Sequence, residues 1–269
     1  MDNAQNQAIK LLGSRFCDLV KVAERGELAH THFLTPAESA FCLALAGEQG
    51  IAKNAFVFGG YTDAERAKLY ILPSYLWDQD TPALDAAREY LDVELSDSVK
   101  VVKISGSGYR TLSHRDYLGA VLALGLERRS VGDVIVSDQG YAIVFAEPGA
   151  ASLLLCELDR VGSDKISVEP YSIDRDFSAP RAFEDITDTV ASARFDCVVG
   201  ALARLSREKA QTLIKSGMCQ VDYCEETRLD VEIKPPCNVT VRGFGKYNVL
   251  RFDGETKRHR LRLVAQKYV

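Results

Sequence analysis

No apolar stretch in this 269-residue chain is long enough to cross a bilayer. Runs such as 131–136 and 152–158 meet a charge or a glycine within about ten residues, against the ~20 that a spanning helix needs. No Cys-x-x-Cys occurs, and Cys219 and Cys224, the closest pair, have no second Cys/His pair to complete a tetrahedral zinc site. The seven cysteines are odd in number, scattered and mostly flanked by apolar residues, which predicts buried free thiols and no metal. The start, Met1-Asp2-Asn3-Ala4-Gln5, lacks the basic and apolar segments of a signal peptide and the Arg-rich look of a transit peptide. A cytoplasmic protein is the expectation. Internal repeats and low-complexity tracts are missing as well.

Complete phosphate loops are also lacking. Gly106-Ser107-Gly108 and Gly243-Phe244-Gly245-Lys246 are fragments that finish neither Gly-x-Gly-x-x-Gly nor Gly-x-x-x-x-Gly-Lys-Ser/Thr, so they read as turns. Ser206-x-x-Lys209 matches part of the penicillin-interacting serine enzymes' pattern, but Ser-Asp-Asn and Lys-Thr-Gly do not occur. His30 and His32 flank Thr31 with no third ligand in sight. No catalytic set and no cofactor site emerges, and the expectation is a non-enzyme.

What the chain does have is an uneven charge. The formal total is −5, yet residues 1–180 hold 17 Lys+Arg against 26 Asp+Glu while residues 181–269 hold 16 against 12. From Arg242 onward, eight basic residues face two acids. A basic module on an acidic body suits a nucleic-acid reader.

Periodicity and punctuation place the elements. Ile9, Leu12, Phe16, Leu19, Val20 and Ala23 make one stripe of a helix over 5–28. Thr35-Pro36-Ala37-Glu38 is a capping box opening a second helix. Strands at Ala55–Phe58 and 68–72 complete a small α+β domain over 1–80. In 81–175 the pattern predicts a helix at 81–91, a strand near 99–104, and a helix over 114–124 capped by Ser113. A hairpin of 133–137 with Tyr141–Ala146, a helix near 150–159 and a strand at 165–168 follow. The order β-α-β-β-α-β is the ferredoxin-like split motif shared by RRM domains, whose central strands expose aromatics to single-stranded RNA. Tyr141 and Phe145 are the aromatics on offer, though the Lys/Arg-Gly-Phe/Tyr start of an RRM signature is missing. The helix start at His114-Arg115 is a second candidate surface. Residues 171–182 read as a polar linker.

The third domain, 183–269, opens with two helices. Phe195, Val198, Val199 and Leu202 lie on one face of the first, leaving Arg194 and Asp196 off it. Ser206 is a natural N-cap for the second, Ala210, Leu213 and Ile214 form its apolar stripe, and Gly217 stops it. A helix N-terminus beside an Arg and a Lys suits a phosphate. Asp196, next to Arg194 and near Arg207, is expected to be ionised and paired with them.

Arg194-Phe195-Asp196, Ser206-Arg207-Glu208-Lys209-Ala210 and Ile214-Lys215-Ser216-Gly217, followed by a short strand and Thr240-Val241-Arg242-Gly243, resemble the S4 RNA-binding domain. Phe195 replaces its usual Leu, Asp222 its usual Asn, and Pro235-Pro236-Cys237-Asn238 its common Gly-Asp turn. Further segments extend the likeness to nearly the whole chain. Gly59-Gly60-Tyr61-Thr62-Asp63-Ala64-Glu65-Arg66, His114-Arg115-Asp116-Tyr117-Leu118-Gly119-Ala120, Gly132-Asp133 and Gly254-Glu255-Thr256-Lys257-Arg258 make it similar to the YlmH family of bacterial S4 proteins.

That resemblance implies ribosomal RNA of the large subunit as ligand, with tRNA close by, in ribosome-associated quality control. By analogy Arg194, Arg207, Lys209, Lys215, Arg242 and Lys246 hold phosphates, with Lys257 and Arg258 in the basic extension and Asp196 and Ser206 positioning the rest. A monomer without membrane association is expected. An accessory of a pseudouridine synthase or methyltransferase, or a protein-interaction adaptor linked to cell division, are the alternatives.

Overall fold

The computed structural model describes residues 3–77, 80–174, 177–179, 183–255 and 260–268. The fold is mixed α+β, and the chain divides into two compact units, Met1–Ala179 and Pro180–Val269.

The first unit begins with helices α1 (Asn3–Glu24) and α2 (Pro36–Glu48) around the short strand β1 (Ala29–His30). Thr35 caps α2: its hydroxyl accepts from the Glu38 amide at 3.3 Å while its own amide donates to the Glu38 carboxylate at 2.7 Å. β2 (Ala55–Phe58) and β3 (Lys68–Ile71) join β1 in a sheet of order β1-β3-β2. All four residues of β3 are buried, Lys68 included, because α1 and α2 cover one face and α3 (Ala83–Tyr90) with α4 (Asp92–Ser98) the other. The sequence pattern predicts one helix over 81–91. That helix forms as α3 and ends where Leu91 leaves helical geometry (φ −134°, ψ 31°) with its side chain buried; α4 follows at once, a helix that the sequence pattern does not place.

Next come β4 (Lys100–Ser105), α5 (His114–Ala123), β5 (Val131–Ser137), β6 (Tyr141–Ala146), α6 (Pro148–Glu157), the two-residue strands β7 (Arg160–Val161) and β8 (Asp164–Lys165), and β9 (Ser167–Pro170). β5, β6, β4 and β9 form an antiparallel sheet in that order. The strand expected at 165–168 is split, because 160–165 turns back on itself at Gly162 (φ 61°) before β9 begins. Strand alternation gives the sheet two buried faces. Val102, Ile104, Ala142 and Val144 pack under α5 and α6, whereas Ile143 and Phe145 pack against Phe33 and Tyr61.

Residues 171–182, expected as a linker, are in part core. The Tyr171 amide continues the sheet by donating to the Val101 carbonyl at 2.9 Å, and Tyr171, Ile173, Phe177 and Ala179 pack on the Phe145 cluster. Their alternation among polar residues hides the apolar face. The parts read as 1–80 and 81–175 share one compact unit, tied by Asp133, which accepts from the Tyr61 hydroxyl and from the Glu65 and Arg66 amides at 2.7–3.1 Å.

The second unit holds β10 (Phe183–Val190), α7 (Phe195–Leu202), α8 (Arg207–Lys215), β11 (Cys219–Val221), β12 (Cys224–Glu225), β13 (Cys237–Val241), β14 (Gly245–Glu255) and β15 (Leu261–Tyr268). Its antiparallel sheet runs β10-β15-β14-β13-β11-β12. Phe195, Val198, Val199 and Leu202 from α7 and Ala210 and Ile214 from α8 share a core with Val239, Val249 and Leu263 of the sheet. Within the basic C-terminal extension, β14 and β15 take up most of the described residues. Leu263 and Ala265 point inward and Arg262 outward, the period of two.

All seven cysteines are free. Cys42, Cys219 and Cys237 are buried, which pushes each thiol up to about 11, but Cys17, Cys156 and Cys224 are exposed, against the expectation from their apolar neighbours. Among the described residues, no helix is long and apolar enough to cross a membrane, and no three His, Cys, Asp or Glu side chains gather as a metal site would require.

Candidate nucleic-acid interface

Asp196 is the centre of the basic face of the second unit. It sits in the first turn of α7, where the sequence pattern places it off the apolar stripe, yet it is 0% exposed. Three side chains cover it. Arg194 donates from Nε to Oδ1 at 3.1 Å, and Arg207 donates from Nε to Oδ2 at 3.1 Å. Gln211 donates to the same Oδ2 at 3.0 Å. Burial alone would raise the carboxyl's pKa, but the bonds from Gln211, Arg194 and Arg207 outweigh it and hold Asp196 well below the usual carboxylate range. The arginine side chains stay 42% and 63% exposed, so each is anchored on Asp196 with much of its surface in solvent.

Helix α8 sets what lies beside this pair. Ser206 caps it, its hydroxyl accepting from the Lys209 amide at 3.4 Å. Residues four apart share a face, so Arg207, Gln211 and Lys215 form one stripe about 12 Å long. Lys209 lies two positions from Arg207 and points to the far side. The structure therefore groups Arg194, Asp196, Arg207 and Lys215 around α8 and separates Lys209 from them.

A concavity of about 450 Å³ opens beside Asp196, lined by Arg204, Arg207 and Arg260 among others. Arg204 holds a positive φ of 53° in the turn between the helices, and its exposed side chain approaches Glu184 at 4.0 Å. Arg260 is oriented by Thr189, donating to its hydroxyl at 3.2 Å and also to its carbonyl. Sequence reasoning missed Arg204, Gln211 and Arg260. The i,i+4 spacing from Arg207 could have found Gln211; the other two depend on a turn conformation and on strand pairing.

The remaining cations lie by the opposite end of α8. The Arg242 amide donates to the Met218 carbonyl at 2.9 Å, three residues beyond Lys215, and its exposed side chain leaves the turn that leads into β14. Lys246 is held between two rings, its Nζ 4.6 Å from the Tyr223 centroid and 4.7 Å from that of Tyr268. Lys257 and Arg258 lie outside the described residues. His114 and Arg115 belong to the first unit, exposed in the first turn of α5.

The first unit also has a cavity of about 1240 Å³ whose lining includes His30, His32, Lys68 and Glu147. Lys68 donates to the Ser98 carbonyl at 3.1 Å and pairs with Glu147 at 3.4 Å, and burial lowers its pKa. His32 Nδ1 lies 2.9 Å from Glu147. These groups satisfy one another and tie β3 to the start of α6.

Comparison with known proteins bears on the first unit. Residues 97–175 match the family model described as "Putative RNA-binding domain in YlmH". The family resemblance drawn from the sequence is borne out. The chain is also similar to a YlmH-type protein of Bacillus subtilis (strain 168), "Ribosome-associated protein quality control protein P2", at 27% identity over 247 residues, 91% of this chain and 90% of that one. A solved structure, "Cell division protein ylmH from Streptococcus pneumoniae", is similar at 17% identity with a TM-score of 0.48, covering 64% of this chain and 94% of that one.

Proposed function

We propose that this chain binds structured ribosomal RNA on the large subunit, near a bound tRNA, and that its C-terminal unit does so as an S4 domain without catalysis. The observation that carries the reading is the buried Asp196, which holds Arg194 and Arg207 at the start of a capped helix with Lys215 on the same stripe. Two oriented guanidiniums and an ammonium spread over about 12 Å suit successive backbone phosphates. The similarity to a ribosome-associated quality-control protein and the YlmH domain at 97–175 support the same reading.

In this proposal 1–80 is a small α+β part, 81–175 a ferredoxin-like domain and 183–269 the S4 domain. The strand order β5-β6-β4-β9 with α5 and α6 as crossovers supports the middle assignment. The face that an RRM uses for RNA is covered here, since Phe145 is 0% exposed beneath Tyr61 and Phe177. The protein acts as a cytoplasmic monomer without a cofactor. Sedimentation with ribosomal subunits tests the reading: co-pelleting with the large subunit in low salt and release in high salt are expected, and no co-pelleting in low salt contradicts it.

A further inference from the structure

The geometry points to a second RNA-contact surface, at the loop-and-hairpin end of the 97–175 domain, that takes a single-stranded segment with one base stacked on Tyr109. The inference rests on the RNA-binding reading above but concerns a different unit and a different form of RNA. Tyr109 is 97% exposed, the most exposed large apolar side chain among the described residues, and it stands in the loop between β4 and α5. That loop is pinned at its base. The Gly106 amide donates to the Gly140 carbonyl at 3.0 Å, and the Ser107 amide donates to the buried Asp164 at 3.1 Å. The Ser107 hydroxyl donates to the other oxygen of Asp164, and it accepts from the Tyr109 amide at 3.3 Å. Beyond Tyr109 the chain is anchored again by the buried Leu112. An aromatic side chain is thus presented to solvent from a fixed backbone, as a stacking platform requires.

Cations surround it. Arg110 reaches over the hairpin tip, where a Cβ on Gly162 would lie 3.9 Å from its guanidinium. Arg160 and Lys165 are direct partners across β7 and β8, both exposed and on one face of that ribbon. Like charges placed opposite each other weaken a strand pair, unless an anion sits over them. Arg115 lies in the first turn of α5, which packs against β7. One nearby carboxylate is engaged inward, Asp164 on Ser107, while Asp116 stays at the surface near Arg110 and Arg115, accepting from the Ser113 hydroxyl at 2.7 Å. Asp159 remains an exposed acid beside Arg160. One exposed ring with flanking cations is the pattern of sequence-tolerant single-strand binding, in which the ring takes a base and the cations take phosphates. The covered Phe145 leaves the central strands unable to play that part.

The test uses the full chain and a fluorescein-labelled oligouridylate of about a dozen nucleotides, a length within the range of known single-strand sites. Tyr109→Ala should weaken binding about 5- to 100-fold without moving the melting temperature, and Tyr109→Trp should restore it. The double variant Arg160→Glu/Lys165→Glu should weaken binding and flatten its salt dependence. Wild-type affinity in both Tyr109→Ala and the double variant overturns the proposal, and a protein partner would then be the occupant to seek. Failure of the wild-type chain to bind the oligouridylate while it still pellets with ribosomal subunits overturns the second surface alone. Failure to bind either overturns the RNA-binding reading with it.

Discussion

Arg207 and Asp196 lie eleven residues apart on two different helices, and they meet at 3.1 Å with the carboxylate wholly buried and the guanidinium largely in solvent. The pair makes α7 the foundation for a cation displayed by α8. Arg207→Ala should therefore weaken RNA binding by about 1–3 kcal/mol, through loss of a charge-assisted bond, and leave the fold intact. Binding titrations beside thermal melts check this: unchanged affinity with an unchanged melting point removes Arg207 from the interface.

Asp196→Ala should do both kinds of damage. Arg194, Arg207 and Gln211 all lose their common acceptor, so stability should fall by about 1–3 kcal/mol and RNA affinity should fall with it. Denaturant unfolding of the C-terminal unit with binding measured on the folded protein separates the effects. Affinity equal to wild type would mean that the arginines need no anchor.

Acid should loosen the same unit. Asp196 is held well below its unfolded value of about 3.9, and hydrogen bonds from Arg228 bring Glu226 down to about 2 from an unfolded value of about 4.3. Groups depressed in the folded state stabilise it above their unfolded pKa, and that stability is lost as pH falls through the folded one. Melting temperature should hold steady from pH 7 to about 5 and fall below about 4, with a shallower acid limb in Asp196→Asn. An unaltered acid limb in that variant contradicts the assignment.

Phe145→Ala should cost about 3–5 kcal/mol, because the ring is fully buried against Tyr61 and Phe177. It should leave RNA affinity unchanged once binding is measured on folded protein. A loss of affinity at unchanged stability would mean that this sheet face meets RNA after all.

Gly132→Ala should destabilise the first unit by about 1–3 kcal/mol through overpacking, since the added Cβ would lie 2.6 Å from the Phe33 ring. Phe33→Leu in the same chain should recover part of that loss, which a double-mutant cycle on urea midpoints would register.

Much of the architecture was legible from local signals. Caps at Thr35, Ser113 and Ser206 stand at the helix starts that their side chains suggest, because capping is settled within four residues. What sequence reasoning missed depends on distant partners. The polar stretch 92–98 shows no apolar stripe that would announce α4, which buries Leu95 and Ser98, and the polar residues around Tyr171 and Ile173 conceal that both cover Phe145. At the candidate interface the charged residues were readable by type and spacing. The complete burial of Asp196 and the entry of Arg204 and Arg260 were not, since they follow from how α7, α8 and β15 pack.

The central claim is that a basic face on the C-terminal unit grips RNA by its phosphates, and salt dependence tests it most directly. If about five of its cations reach phosphates, the logarithm of the affinity for duplex-like ribosomal RNA should fall against the logarithm of salt concentration with a slope on the order of −4. Arg207→Ala should make that slope shallower by about one. A slope near zero would contradict the account.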